Sequence, residues 1–393
     1  MVTLADYDAQ ALERSASAPV MVATNEMLRQ CCEHWMTLPL ISVDTEFQRV
    51  DTFYPIAGLL QIADEQRCYL IDPLAIDDFA PLAALFSCES VVKVLHAASE
   101  DLEVFSRLLG VLPRPMYDTQ VAAAFIGWGF SMGLQRMLDT VLDVQIGKAE
   151  TNSNWLQRPL SKKQEHYAAL DVAYLAEIYR RQRAQLESLG RLAWFEEDSL
   201  RVIEHYVATD YDDGLYYLRF SQMSHLSGKK LWALKTLTNW RERESRERDV
   251  PRNKVLRNQS LLSIINRWPS STGQLSACEE VRGKTLRQDG EVILSVLKSA
   301  PQQCELEPGI LAIEKPLDPV WNKRLKKLKQ IARQCAERLE MAPEILLRKK
   351  DLEALVRNFE SGTEPLLPEG LQGWREALFG EQLLAQLALY RSA

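Results

Sequence analysis

Residues 40–47, LISVDTEF, carry the tightest constraint in the chain. Ile41, Val43 and Phe47 are good strand residues, and the run reads as a buried strand. Asp44 and Glu46 nevertheless stand two apart in it, and the two-residue period of a strand puts both carboxylates on one face. Like charges side by side repel, and burying them is costly unless something of opposite sign offsets the repulsion. Either the strand runs out of the sheet and leaves both acids in water, or cations sit against them.

The surrounding pattern alternates. VMVAT (20–24) reads as a short strand and NEMLRQCCEHWM (25–36) as a helix with Asn25 at its N-cap. AGLLQIADEQRCYLID (57–72) reads as a hairpin about a polar ADEQ turn. VVKVLHA (91–97) is a further strand, followed by a helix EDLEVFSRLLG that Ser99 opens and Gly110 stops. From 117 to about 208 the pattern is mostly helical. Strands mixed with helices, then covered by helices, give an α/β domain with a mixed sheet. The polar stretch TDYDDGL (209–215) marks a boundary, and no segment after it has a strand period. Residues 215–298 read as one all-α unit, SAPQQCELEPG (299–309) as a linker, and 310–393 as a second all-α unit. The expected domains are therefore 1–208, 209–300 and 301–393. The helical units look like repeats. VLRNQSLLSII (255–265) aligns with LLRKKDLEALV (346–356) at an offset of 91, with Pro251 and Pro343 one residue out of step.

Charge is unevenly spread over the 393 residues. The net is −7, yet residues 1–200 hold 16 Lys and Arg against 28 Asp and Glu, and residues 201–393 hold 31 against 26. An acidic front half suits a phosphate ligand only if cations sit in it, whereas a basic back half suits nucleic acid. The basic residues concentrate in 229–257, ten against four acids, and in 321–350, ten against three. Trp232 and Trp240 fall within the first stretch and read as core. No apolar run approaches the roughly 18 residues of a membrane helix, and the N-terminus has no basic region followed by an apolar block. Seven scattered cysteines without a CxxC pair suggest reduced thiols and a cytoplasmic protein that uses no membrane.

Two more acids stand where chemistry could use them. Asp101 lies in the first turn of a helix that follows a strand, where α/β sheets usually place functional groups. Tyr167 and Asp171 are four apart among Ala168, Ala169, Leu170, Val172 and Ala173, on one face of a helical stretch. Each alone has a structural explanation, as a dipole-complementing acid or a Tyr–Asp contact. If the fold gathers Asp44, Glu46, Asp101 and Asp171, four carboxylates cannot all stay ionised without cations. Hard oxygen donors in that number suit two Mg²⁺ or Mn²⁺ ions, spaced about 3.5–4 Å as in phosphoryl-displacing sites.

The order DTE, HAASEDLEVF, YAALD resembles the motifs of the DEDD exonuclease superfamily, in its tyrosine-bearing DEDDy branch. VDTEF, GLLQIAD, LIDPL, VLHAASEDLEVF, DTQVAAAF, NWLQRPLS and YAALDVAYL are similar to the bacterial ribonuclease D family, and the two helical units resemble its HRDC domains. The resemblance implies a ribonuclease H-like exonuclease domain followed by two all-α HRDC domains. It implies a metal-dependent 3′→5′ exoribonuclease that releases nucleoside 5′-monophosphates, with precursor tRNA 3′ ends as typical substrate, acting as a monomer. By the same resemblance Asp44, Glu46, Asp101 and Asp171 are catalytic metal ligands and Tyr167 orients the attacking water. Gln61, Leu59, Leu60 and His96 would shape the terminal-nucleotide pocket. Two other readings stay open: a DNA 3′→5′ exonuclease, and a non-catalytic RNA-binding protein on an exonuclease fold. A helicase is not expected, because no GxxxxGK[ST] motif is present.

Overall fold

The computed structural model describes residues 8–147, 153–210, 214–361 and 366–391. The first part of the chain runs α1 (Ala9–Ser17), β1 (Val20–Val22), α2 (Asn25–Trp35), β2 (Leu40–Gln48), β3 (Ile56–Ala63), β4 (Cys68–Ile71), α3 (Ala80–Ser87), β5 (Val92–Leu95), α4 (Asp101–Leu109) and β6 (Met116–Asp118). Helices follow: α5 (Thr119–Phe125), α6 (Leu134–Leu142), α7 (Lys162–Ala173), α8 (Leu175–Ser188) and α9 (Leu192–Asp210). Next come α10 (Gly228–Glu247), α11 (Arg252–Val255), α12 (Asn258–Arg267), α13 (Thr272–Ser276) and α14 (Gly283–Leu306). The chain closes with α15 (Trp321–Leu339), α16 (Pro343–Leu346), α17 (Lys349–Glu360) and α18 (Glu381–Ala388). These elements form two compact units. One comprises Met1–Gln48, Ala57–Ile203 and Leu317–Ala393, the other Arg49–Ile56 and Glu204–Pro316.

In the first unit the strands form one mixed sheet in the order β1-β4-β3-β2-β5-β6. β1 pairs with β4 in parallel, β4 with β3 antiparallel, and β2, β5 and β6 run parallel. β2 is thus an interior strand, and Ile41, Ser42 and Val43 are fully buried on its two faces. That explains its near-continuous apolar run. α7 packs on one face through small residues: Ala168, Ala169 and Val172 share a core with Leu59, Ala63 and Leu70. The helix starts on a capping box, Ser161 with Gln164, which satisfies two of its free N–H groups.

The second helical segment, from Leu317 onward, is fused into this same unit. Trp374 stacks on Trp194 with ring centres 5.1 Å apart and planes 8° from parallel. Arg191 donates to the carbonyls of Phe125 and Leu339, and the Ala342 N–H donates to the Ala124 carbonyl at 3.1 Å. Arg375, with a 3% exposed side chain, donates from both terminal nitrogens to Asp198 and from Nε to the Ile345 carbonyl. In the second unit, α10 packs along α14, and Trp232 and Trp240 are core as the sequence suggests.

The repeat is present in the backbone. α11 starts at Arg252 and α16 at Pro343, α12 at Asn258 and α17 at Lys349, each pair 91 residues apart. The offset proline has a simple reading: Pro251 is the N-cap of α11, whereas Pro343 is the first helical residue of α16. Both positions tolerate a missing N–H.

Several local expectations are corrected. Thr24, not Asn25, caps α2 through its hydroxyl, and Asn25 instead bonds Asp77 and Asp78 across a loop. Ser99 does not cap α4, which begins at Asp101 without a side-chain cap. Residues 299–306 are not linker: α14 continues through Pro301 to Leu306. Ile293, Leu297 and Ala300 are buried and hold that helix against its neighbours, and this outweighs the roughly 3 kcal/mol an internal proline costs. Of the expected loop 209–215, residues 209 and 210 end α9, and 211–213 lie outside the described residues.

Asp198→Ala would leave the buried Arg375 guanidinium without its counter-charge. The expected loss is about 3 kcal/mol, read as a lower denaturant midpoint for the transition that reports Trp194 and Trp374 fluorescence.

Candidate active site

The strand, the helix that follows β5 and the helix α7 supply the acids. Asp44 and Glu46 project from one face of β2, and Asp171 projects from the last turn of α7. Each of these three carboxylates offers an oxygen within 4.8 Å of the others, and all three are partly buried. Asp101 is the first residue of α4, 7% exposed. It stands outside the three-acid group among the described residues, yet close enough to act on it electrostatically. Thr45, whose side chain leaves β2 on the opposite face from Asp44, donates its hydroxyl to Asp101 Oδ1.

Electrostatics reflect that crowding. Burial first, then the charges of Asp101, Asp171 and Glu46, pushes Asp44 well above the usual carboxylate range. Burial and the charges of Asp171 and Asp101 raise Glu46 to about 8. Burial raises Asp171 to about 7 against the opposing hydrogen bond from Tyr167, and raises Asp101 to about 6 against the bond from Thr45. With protons alone the site cannot be fully ionised at neutral pH. The donor set, carboxylate oxygens only, fits a hard divalent cation and not a soft one.

Tyr167 sits one turn before Asp171 and donates its hydroxyl to that carboxylate. Burial and the surrounding acids raise its phenol far above neutral pH, so it keeps its proton. Its ring lies 6.2 Å from that of buried Trp155. Trp155 in turn requires Gly58, where a Cβ would come within 2.7 Å of the Trp155 Cβ.

The four expected pocket residues are placed differently from the acids. Leu59, Leu60 and Gln61 are fully buried in β3 and present no surface. The Gln61 amide has no hydrogen-bond partner on either atom among the described residues. His96 is partly exposed at the end of β5, with Nδ1 2.9 Å from Thr119 Oγ1. Its pKa is lowered by burial, against the attraction of Asp118.

Some supporting residues were not singled out by role from the sequence. Asp118 accepts from the Ala97 and Ala98 N–H groups and from Gln120 and Val121, so one carboxylate fixes both the turn before α4 and the start of α5. Ala97 has a φ of +59°, a strained value for a residue with a Cβ, and the Asp118 bonds hold it there. The Asp-Thr step before an apolar run was a legible N-cap signal. Arg158 pairs in two-pronged fashion with Asp72 and donates to the Gly58 carbonyl, tying the hairpin to the turn that carries Trp155. Burial pushes Asp72 up, but the Arg158 bonds win and hold it below its usual value. These two are 86 residues apart, so no local pattern joins them.

Comparison with known proteins bears on this geometry. Family models match as a 3′-5′ exonuclease over residues 19–187, an HRDC domain over 230–297 and a ribonuclease D C-terminal HRDC domain over 319–383. The chain is 43% identical to ribonuclease D of Pseudomonas paraeruginosa, covering 92% of this chain and 95% of that one. It is 33% identical to ribonuclease D of Escherichia coli, over 92% and 96%. The chain belongs to the ribonuclease D family. The crystal structure of the Escherichia coli enzyme, described as an exoribonuclease involved in structured RNA processing, superposes with a TM-score of 0.86, covering 95% of this chain and 99% of that one. The catalytic core of RRP6 from Trypanosoma brucei, 22% identical with a TM-score of 0.56, shares the fold over 73% of this chain and 80% of that one. With that membership the chain is a 3′→5′ exoribonuclease, an exonuclease domain followed by helical HRDC domains.

The raised acids carry a stability signature. A carboxylate whose folded pKa exceeds its unfolded value favours the fold fully at low pH and loses that contribution as pH climbs through the folded value. Glu46 spans roughly 4.5 to about 8 and Asp171 ends near about 7, so metal-free protein should lose stability between pH 5 and 8. Asp44→Asn relieves the repulsion. At pH 8 without metal it should be more stable than the parent by at least about 1.4 kcal/mol, the worth of one pKa unit, with little difference at about pH 3.5, below the unfolded value of 3.8. Thermal melts of both proteins at the two pH values measure this.

Proposed function

We propose that this chain is a divalent-metal-dependent 3′→5′ exoribonuclease that trims RNA 3′ ends one nucleotide at a time, with precursor tRNA trailers as a natural substrate. The observation that carries the reading is the mutual approach of Asp44, Glu46 and Asp171, whose repulsion calls for a cation. In this reading Asp44, Glu46 and Asp171 would hold one Mg²⁺ or Mn²⁺, and Asp44 and Asp101 would serve a second, Asp101 directly or through water. The ions supply positive charge to the phosphate and make water a better nucleophile.

The remaining steps belong to the chain. Tyr167, one turn before Asp171 on α7, holds and aims a water at the terminal phosphorus. Oxygen of that water bonds to phosphorus, the bond to the 3′ oxygen of the preceding nucleotide breaks, and that oxygen takes up a proton. The products are a nucleoside 5′-monophosphate and an RNA one residue shorter with a free 3′ hydroxyl. Thr45 holds Asp101, and Asp118 holds the turn that presents it. Leu59, Leu60 and Gln61 would shape the terminal-nucleotide pocket only indirectly, as the buried layer behind its wall, and His96 would reach it from the exposed end of β5. The functional modules of this reading are 1–208, 209–300 and 301–393, with the last boundary moved past Leu306, where α14 ends, and the protein acts as a monomer in the cytoplasm. No helix among the described residues is long and apolar enough to cross a membrane.

The test is digestion of a 3′-extended tRNA with Mg²⁺ or Mn²⁺, with the products sized. Mononucleotides should appear from the first turnover, and chelation should stop them. Asp44→Asn and Asp171→Asn should each lower kcat by about a thousandfold or more, of order 4 kcal/mol. Tyr167→Phe keeps the ring and removes the aiming group. It should lower kcat by about ten- to a hundredfold with KM nearly unchanged. Full activity of Asp44→Asn, or clear preference for single-stranded DNA, would reverse the assignment.

A further inference from the structure

The two basic stretches are equal in number and unequal in availability. In the first, 229–257, every one of the ten cations has an internal partner. Six face carboxylates: Lys235 with Glu307, Arg243 with Glu247, Arg248 with Asp289, Arg252 with Glu242, Lys254 with Asp51 and Arg257 with Glu280. Lys229 and Arg246 lie over the rings of Trp268 and Phe53. Lys230 and Arg241 donate to backbone carbonyls.

Much of this set is occupied in holding residues 49–56. Asp249 accepts from the Phe53 and Tyr54 N–H groups at 3.0 and 3.1 Å. Arg246 and Arg252 both lie over the Phe53 ring, at 5.2 and 4.7 Å from its centre. Six of these ten charges are offset by carboxylates, so this face offers an outside anion much less net charge than its count suggests.

The second stretch differs. Lys323, Lys326, Lys327, Lys329 and Arg333 on α15 are all exposed, and none has a hydrogen-bond or ion-pair partner among the described residues. They share the outward side of the helix, opposite buried Leu328, Ala332 and Cys335. The stripe runs about 15 Å at 1.5 Å per residue. It ends at Arg333, which lines a groove of about 630 Å³ together with Glu337, Glu340 and Glu344. α15 also belongs to the unit that carries the acidic site, through the Arg191, Trp374 and Arg375 contacts described above. The first 200 residues hold twelve more acids than bases, so RNA that reaches the site must be drawn by charge from elsewhere.

We infer that RNA backbone phosphates are gripped by the free lysine stripe of α15, Lys323, Lys326, Lys327, Lys329 and Arg333, and not by the basic stretch of the first HRDC unit. This deepens the exoribonuclease reading and rests on RNA being the substrate. Lysine point charges on a regular helix recognise backbone and not base, so the grip should be independent of sequence and steep in salt.

The test uses the full chain with chelator present to prevent cleavage, and a fluorescein-labelled single-stranded RNA long enough to extend beyond the active site. Affinity is followed by anisotropy between about 50 and about 200 mM salt. The triple variant K323Q/K326Q/K327Q should bind at least about tenfold more weakly at low salt, with a salt slope smaller by about 2, at roughly 0.7 for each phosphate no longer neutralised. K229Q/K230Q/R243Q should keep the parental slope to within about 0.5. In the parent protein, bound RNA should protect Lys323, Lys326 and Lys327 from acetylation and leave Lys229 and Lys230 reactive, a readout that needs no variant to fold. An unchanged slope in the α15 triple, an equal loss in the first-unit triple, or protection of Lys229 and Lys230 alone would overturn the inference. Hydrolysis of a short RNA by the parent protein with Mg²⁺ is scored apart. Its failure would sink the reading of the acidic site, while the protection pattern would still decide whether α15 grips RNA.

Discussion

The constraint on which this structure turns is the repulsion among carboxylates at the end of an interior strand. Asp44 and Glu46 cannot be moved apart, because the pleat of β2 fixes them on one face, and Asp171 is brought to them by α7. Removing any one acid would ease the fold. Retaining them all makes sense only if a ligand of opposite charge offsets the strain, so the destabilised region and the reactive region are the same place. The raised carboxyl groups are the electrostatic trace of that arrangement.

Around the acids the molecule is built to prevent escape. α7 presents alanines to the sheet, which allows close approach without a bulky layer between helix and strand. Asp118 locks the turn before α4 by accepting from backbone on both sides of it, and Thr45 holds Asp101 from the far face of β2. Arg158 clamps the hairpin at Asp72 and Gly58. The second HRDC segment is packed into the same unit by Arg375 and Trp374, so its free lysines ride on the body that holds the acids.

Much of this was legible in the chain because it is local. The strand with two acids, the hairpin about ADEQ and the Gly110 stop depend on short spacings, and the 91-residue repeat shows because two short motifs match. What failed to show was decided at a distance. The capping of α4 could not be read from Ser99, because Asp118, some twenty residues on, sets the backbone there. Pro301 reads as a break, but buried Ile293, Leu297 and Ala300 just before it anchor α14, which runs on to Leu306. Counting lysines and arginines made the two basic stretches look alike. Only the ion pairs, formed with acids as far away as Asp51 and Glu307, separate them.

The central claim is that Asp44, Glu46 and Asp171 form a cage for a divalent cation. The most direct measurement is anomalous scattering from crystals soaked in Mn²⁺. The account predicts a peak bonded at about 2.0–2.3 Å to oxygens of all three side chains, and none there in Asp44→Asn crystals. Active protein whose Mn²⁺ peaks lie elsewhere, with these carboxylates unbound, would contradict it.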